Sequence, residues 1–321
     1  MQRRTLIQSS AALLSAGLLG GLPALAQDFP PKKPVTMVVG FAAGGAADAA
    51  ARLIAKKLSE NIGQSVVVEN KAGAAGAMGV VDMLTARPDG YRLTLAPVGI
   101  FRQPYIQKVA YDPVRDLTYI ASFMTYDFIL TVPASSPIRT LQDYVAWARQ
   151  HPGQMSYGTP GKFTANHVAM ALLEKKTGIQ LNHAPFKGDA DAISALAGGH
   201  IQSAIFANSI LPQLQAGKVR ALATAADRRP EAFADVPTFR EAGYGFDVPS
   251  PLGIAGPKGL PQEVVRKLDA AVKAAMNDPG FQQVVANYGI RTDYRDHQAY
   301  AAFAQQAFAE EKAIVQGIGL D

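Results

Sequence analysis

The chain has 321 residues, with 31 Lys+Arg against 26 Asp+Glu, a formal charge of +5, 48% hydrophobic residues and no cysteine. The mildly basic balance comes without any Lys/Arg run or interleaved aromatics, which argues against nucleic-acid binding. The lack of cysteine excludes disulfides, thiolate chemistry, Cys-ligated metals and a lipid-anchored N-terminal cysteine.

The opening stretch, MQRRTLIQSSAALLSAGLLGGLPALAQ, reads as an export signal rather than as structure. Arg3 and Arg4 form the positive n-region. Residues 11–22 form an apolar stretch too short and too rich in Gly and Ser to span a bilayer. Ala24-Leu25-Ala26 fits a small-x-small cleavage site, so residues 1–26 are expected to be removed by cleavage after Ala26. The order Arg3-Arg4-Thr5-Leu6-Ile7 is close to a twin-arginine signal, leaving Sec and twin-arginine export both open. Either route predicts a periplasmic product. No later stretch reaches the roughly 18 consecutive apolar residues of a transmembrane helix.

Short runs of Val, Ile, Leu and Ala then alternate with helical patterns, the signature of parallel strands covered by helices, and this predicts an α/β architecture. Strands are expected at 35–39, 66–69, 92–96, 203–207 and 221–225. Helices are expected at 46–62, 77–86, 140–151, 164–177, 190–198, 261–277 and 297–316. Two apolar stretches, DFILTVPA at 127–134 and VPSPLGIAGP at 248–257, break the rhythm. As strands that pass from one domain to another, they predict one domain from residues 27–126 plus 251–321 and a second from 127–250. The hinge would then lie near 126–128 and 248–251.

Within the first domain, VVGFAAGGAADAAARLIAKKL at 38–58 packs a strand, a glycine turn and an amphipathic helix together. The second domain repeats that grammar in MSYGTPGKFTANHVAMALLEKKTG at 155–178. If the domains face one another, two helix N-termini point into one cleft, where partial positive charge and free N–H groups suit an anion.

A dinucleotide fold needs G-x-G-x-x-G after the first strand, but GFAAGG places its glycines at 40, 44 and 45. A phosphate-binding P-loop needs a terminal Gly-Lys-Ser/Thr, which is missing. There is no G-x-S-x-G nucleophile elbow. Asp189 and Asp191 lie two apart and would not share a helix face, and Asp189 reads as a helix N-cap. The five histidines show no metal-ligand spacing. His167 sits in the first turn of a helix entered from a cleft loop, either hydrogen-bonded to backbone or offered to a ligand. Neither cofactor nor metal is expected.

Several segments jointly carry a resemblance: GQSVVVENKAGAAGAMG, ARPDGYRL, YDPVRDLTYIA, HAPFKGDADAISALAGGHIQSAIF, LQAGKVRALATAADRRPEAFADVPTFREAGY and GIAGPKGLP, together with the 38–58 stretch. In their order and spacing the chain resembles the Bug-type substrate-binding proteins of tripartite tricarboxylate transporters, from about Pro34 to the C-terminus. The resemblance implies a two-domain periplasmic-binding-protein (Venus-flytrap) fold, each domain a mainly parallel sheet flanked by helices. It also implies a monomer that closes on a small carboxylate and delivers it to a membrane transporter with one large and one small component.

Carried over by position, the first domain's ligand loops are 41–48, with Phe41, Ala43, Gly44, Ala46, Ala47 and Asp48, and 74–79, with Ala75, Gly76 and Met78; Pro97 lies beside them. Asp48 reads as organising the first helix turn, because a carboxylate beside an anionic ligand would repel it. The second domain's share matches Thr164, Ala165 and His167, then Phe186, Gly188 and Asp189. The family's usual aspartate after the late strand is here Ala207, followed by Asn208. Where the family usually has a threonine, this chain has Ala47, which leaves that turn more dependent on backbone donors. Arg102, Lys162 and Phe163 stand where small residues are commoner. One reading has Arg102 or Lys162 meeting a second carboxylate, with Phe41, Phe101 or Phe163 flanking a flat apolar part, hence a dicarboxylate and one with an aromatic body. The other reading leaves both cations solvated at the surface. An enzyme acting on a carboxylate and a sensor feeding a signalling receptor are the alternative functions.

Overall fold

The computed structural model describes residues 32–287 and 290–319, so the expected export signal lies outside the described residues. The elements in chain order are β1 (Val35–Val39), α1 (Ala46–Ile62), β2 (Val66–Asn70), α2 (Ala77–Met83), β3 (Arg92–Ala96), α3 (Gly99–Ile106) and β4 (Leu117–Tyr126). They continue with β5 (Ile129–Pro133), α4 (Leu141–Gln150), β6 (Ser156–Thr159), α5 (Ala165–Thr177), β7 (Asn182–Pro185), α6 (Asp189–Ala197) and β8 (Ser203–Phe206). The last are α7 (Leu211–Gln215), β9 (Val219–Thr224), β10 (Ser250–Pro257), α8 (Gln262–Met276), α9 (Pro279–Asn287), β11 (Arg291–Arg295) and α10 (His297–Ile318). Among the described residues no helix is long and apolar enough to cross a membrane.

Two separate sheets result, ordered β11-β4-β10-β3-β1-β2 and β7-β6-β8-β5-β9. Both are mixed: four of the six strands in the first sheet and four of the five in the second run one way, and the rest are reversed. β1 runs parallel to β2 and β3, but β10 is antiparallel to both β3 and β4, and β11 is antiparallel to β4. In the second sheet β6 is parallel to β7 and β8, while β5 is antiparallel to β8 and β9. Of the reversed strands, β5 and β10 are the ones the chain forms immediately after crossing from one sheet to the other, and β11 is added at the edge beside β4. The chain leaves the first sheet at the end of β4, enters the second as β5 after two intervening residues, and returns as β10. A strand buried on both faces reads the same whichever way it runs, so the apolar pattern alone cannot report direction.

α1 shows how the local code works. Ala47, Ala50, Ala51, Ile54, Ala55, Leu58 and Ile62 are buried along one stripe, while Arg52, Lys56 and Glu60 face water. The helix ends on Gly63 at φ 68°, a left-handed C-cap that relieves the last carbonyls. α4 begins with a reciprocal capping box between Thr140 and Asp143. α10 packs along α3 and β4 and reaches α5 on the far side of the cleft.

Candidate functional site

Between the sheets lies a small inner cavity of about 50 Å³, lined from both sides. The first side supplies Phe41, Gly45, Ala46, Ala47, Ala75, Pro97, Val98 and Gly99; the other supplies Pro160, Thr164, Ala165, Asn166, Gly188, Asp189 and Ala207. Tyr126, Phe128 and Ser250 close it where the chain crosses. A wider chamber of about 650 Å³ opens beside it, sharing Phe41, Ala75 and Pro160 and adding Gln103, Lys162, Phe163, Phe186 and Lys187. One water needs about 10–15 Å³ on this measure, so the inner cavity matches a carboxylate-sized group and the chamber can take a larger body.

The inner cavity collects helix N-termini. The caps of α1 (Gly45), α3 (Val98) and α6 (Gly188) make no side-chain cap hydrogen bond, and all three residues line the cavity. α5 also starts there, its Thr164 hydroxyl accepting from the His167 N–H. The first turn of a helix leaves N–H groups without intrahelical acceptors and carries partial positive charge. Four such ends around one small volume make a site for an anion.

The loops that hold these ends are tightly built. A Cβ on Gly40 would lie 2.2 Å from the Gly76 carbonyl oxygen, so the turn after β1 presses backbone to backbone against the turn before α2. Gly76 itself has φ +97°. Among the described residues, the non-glycine residues with positive φ are Ala74, Ala75 and Phe163, and all three line the inner cavity or the chamber. Strain of that kind costs about 1–3 kcal/mol per residue and gathers at ligand-holding loops.

Asp48 turns away from the cavity. Its carboxylate accepts from the Gly44 N–H at 3.0 Å, from Asn70 Nδ2 at 3.0 Å and from Arg52 Nε at 3.0 Å. Burial opposes its ionisation, but the bonds from Arg52, Gly44 and Asn70 outweigh that and hold its pKa below the usual carboxylate value. Asp189 is the first residue of α6 rather than its N-cap, which is Gly188. Its Oδ2 reaches across the cleft to accept from the Ala46 N–H at 3.4 Å and takes the Ser209 hydroxyl at 2.7 Å.

Of the residues singled out from the sequence, Phe41, Ala46, Ala47, Ala75, Pro97, Thr164, Ala165, Gly188 and Asp189 line the inner cavity, and Lys162, Phe163 and Phe186 line the chamber. Ala43, Gly44, Asp48, Gly76, Met78, Arg102, His167 and Asn208 line neither, although Gly44 and Gly76 shape the loops that do. Met78 points outward and is 44% exposed.

The two candidate cations separate. Lys162 is exposed at the chamber. Arg102 is neither at the surface nor free for a ligand: it is 1% exposed and forks onto Glu311 of α10, Nε to Oε2 at 2.7 Å and Nη2 to Oε1 at 2.6 Å. Its Nη1 donates across the cleft to the Phe163 carbonyl at 2.7 Å. Burial pushes the Glu311 pKa up against the pull of Arg102. Phe101, expected beside the ligand, instead packs in the core against Tyr119 and Phe303.

His167 is held from below. Its Nδ1 accepts the Phe163 N–H at 3.0 Å, and its ring stacks on His183 at 4.0 Å. Burial, then the charges of His183, Arg102 and Lys162, lower its pKa to about 3; burial and Lys162 lower that of His183 to about 4. Both rings are therefore neutral near pH 7, and His167 fixes the strained Phe163 turn. Val98, Gly99 and Pro160 in the inner cavity and Gln103 in the chamber carry no signal that singles them out in the sequence, whereas Asn166 lies within the expected ligand stretch 164–167 and Ser250 within the expected hinge 248–251. Tyr126 and Phe128 were placed only as hinge residues.

Two α/β lobes joined by crossing strands, with an anion-suited cavity between them, define a two-lobed solute-binding protein. The chain belongs to the TctC family: residues 50–320 match the family described as Tripartite tricarboxylate transporter family receptor. A Cupriavidus necator protein, described as a UPF0065 protein in the gbd 5' region, is 40% identical over 323 residues, covering 100% of this chain and 99% of that protein. Among solved structures, an R. palustris protein with adipate matches at TM-score 0.86 and 29% identity, over 91% of this chain and 99% of the other. MatC from Rhodopseudomonas palustris with bound malate matches at 0.83 and 29%, over 89% and 99%. The family is one of receptors, not enzymes.

Proposed function

We propose that this protein is a periplasmic receptor that closes residues 27–126 plus 251–321 against residues 127–250 over a small carboxylate and presents it to a tripartite-type membrane transporter. The observation that carries this reading is the meeting of four helix N-termini from both lobes on the inner cavity. A ligand carboxylate there takes N–H groups that each helix leaves unbonded. The apolar body then extends into the chamber between Phe41, Phe163 and Phe186. Lys162 stands there to meet a second carboxylate, which makes a dicarboxylate, and one with a flat body, the best fit. The relatives solved with adipate and malate support a dicarboxylate.

Thermal-shift screening of the mature chain against aliphatic and aromatic dicarboxylates, monocarboxylates and amino acids tests this. A ligand present at 100 times its Kd stabilises by about 2.7 kcal/mol. Dicarboxylates are expected to give the larger shifts, and Lys162→Met to weaken them about tenfold while sparing monocarboxylates. Shifts with amino acids or monocarboxylates and none with dicarboxylates would sink the reading.

A further inference from the structure

Two buried polar atoms beside the inner cavity have no hydrogen-bond partner among the described residues: the Tyr126 hydroxyl and Asp189 Oδ1. Both residues line that cavity, Tyr126 at 7% and Asp189 at 5% exposure. They come from opposite sides, Tyr126 from the end of β4 and Asp189 from the start of α6. They are near enough that the Asp189 carboxylate, after burial, adds to the upward push on the Tyr126 pKa. An unpaired buried polar group costs about 1–3 kcal/mol, so two of them in one ligand cavity call for a common partner.

The chemistry of that partner is constrained. Asp189 Oδ2 is already used by Ala46 and Ser209, and Oδ1 is left to accept. Tyr126 can donate or accept. A methylene satisfies neither atom. An ammonium donates to Asp189 but has no lone pair for the tyrosine proton. An alcohol does both, donating to Oδ1 while accepting from Tyr126. Burial raises the Asp189 pKa against its bonds from Ser209 and Ala46, and an alcohol bonds either protonation state, whereas an ammonium needs the ionised one.

The geometry points to Tyr126 and Asp189 as a hydroxyl-reading pair, so that the preferred ligand is a carboxylate whose hydroxyl sits on the carbon that carries the carboxyl group or, on a ring, ortho to that group. This rests on the carboxylate reading above. The relatives leave the matter open, since adipate has no hydroxyl and malate has one. The small inner cavity sets the position: a group seated with the carboxylate head cannot lie far along the chain.

Titration calorimetry of the mature chain with matched probes provides the test: malate, succinate and aspartate; mandelate and phenylacetate; salicylate and benzoate. In at least one set the hydroxy acid is expected to bind tenfold or more tighter than its deoxy and amino counterparts. Tyr126→Phe and Asp189→Ala, with apo melting checked, should each bring that ratio to within about twofold. Deoxy or amino acids that bind as well as hydroxy acids would overturn the inference and leave the carboxylate reading standing. A preference that survives in both folded variants would overturn the assignment to these residues. If no carboxylate binds at all, both readings fall.

Discussion

The pair formed by Arg102 and Glu311 lies within the first lobe and holds the guanidinium that bonds across the cleft to Phe163, so it offers the sharpest test of how the lobes are held. The two side chains are 1% and 4% exposed, bonded at 2.6 and 2.7 Å, and 209 residues apart in sequence. Replacing Glu311 with alanine leaves a buried guanidinium whose remaining bond is to the Phe163 carbonyl. Breaking a buried pair in this way costs about 3–5 kcal/mol, because the orphaned charge keeps its desolvation penalty. At about 2–4 °C per kcal/mol for domains of 150–250 residues, melting should fall by roughly 6–20 °C. Arg102→Met combined with Glu311→Leu removes both charges together and should recover most of that loss, since buried pairs give little net stability over apolar packing. The double variant still lacks the bond to Phe163, so its affinity for the best dicarboxylate should drop while its melting does not. The measurements are denaturant and thermal unfolding of the three variants and calorimetry of the double one. A single variant that loses less than about 1 kcal/mol, or a double variant as unstable as the single, would refute the reasoning.

Two further outcomes follow from the loops and the crossing. Gly40→Ala drives its Cβ into the Gly76 carbonyl, backbone against backbone, so the ligand loops must separate. Overpacking costs about 1–3 kcal/mol, and binding should fall more than stability; an alanine variant with normal melting and affinity would contradict the packing. Asp127, at the crossing between β4 and β5, has its pKa raised from 3.8 to about 6, by burial against the opposing pull of Arg291. A raised carboxyl pKa means that the folded state holds the proton more tightly. Its contribution is therefore complete below about pH 3.8 and is lost as the pH climbs through about 6, on the order of 3 kcal/mol in all. Asp127→Asn should cost more stability at pH 4.5 than at pH 7.5 in denaturant titrations, and the reverse order would show that Arg291 dominates.

Local patterns carried much of the fold. α1 runs from Ala46 to Ile62 as its apolar stripe and the following glycine indicate, and β1 and β3 occupy the expected residues. The elements that were missed lack such a stripe. β11 is the half-buried edge sequence RTDYR, β7 is a short edge of four residues, and α3 carries Pro104 within a single pair of turns. β4 was visible only as part of a motif, because LTYIASFMTY is buried almost throughout and has no alternation to mark it as a strand. Strand direction was not legible either, since it is set by where the chain crosses between the sheets.

The candidate site divides along the same physical line. Glycine turns that end on helix N-termini are short-range features, and spacing located both copies. Pairing is long-range. Nothing near Arg102 in sequence names Glu311, and nothing near Asp189 shows that its carboxylate spans the cleft to Ala46. The same holds for Arg291, which binds Asp127 at the crossing and Asp227 beyond β9 at 2.8 Å each. The bonds that tie the lobes thus join residues 61 to 164 positions apart. The arginine bonds to Phe163, Asp127 and Asp227 and the Lys175 bond to the Gly317 carbonyl are charge-assisted and stronger than neutral ones, whereas the backbone N–H contacts at the cleft, Ala46 to Asp189 at 3.4 Å and Ala42 to the Lys187 carbonyl at 3.5 Å, are long. The weakest ties lie where a ligand enters, so an incoming carboxylate competes there with little loss. The firm ties, at Phe163 and at the crossing, are left in place to define the closed geometry.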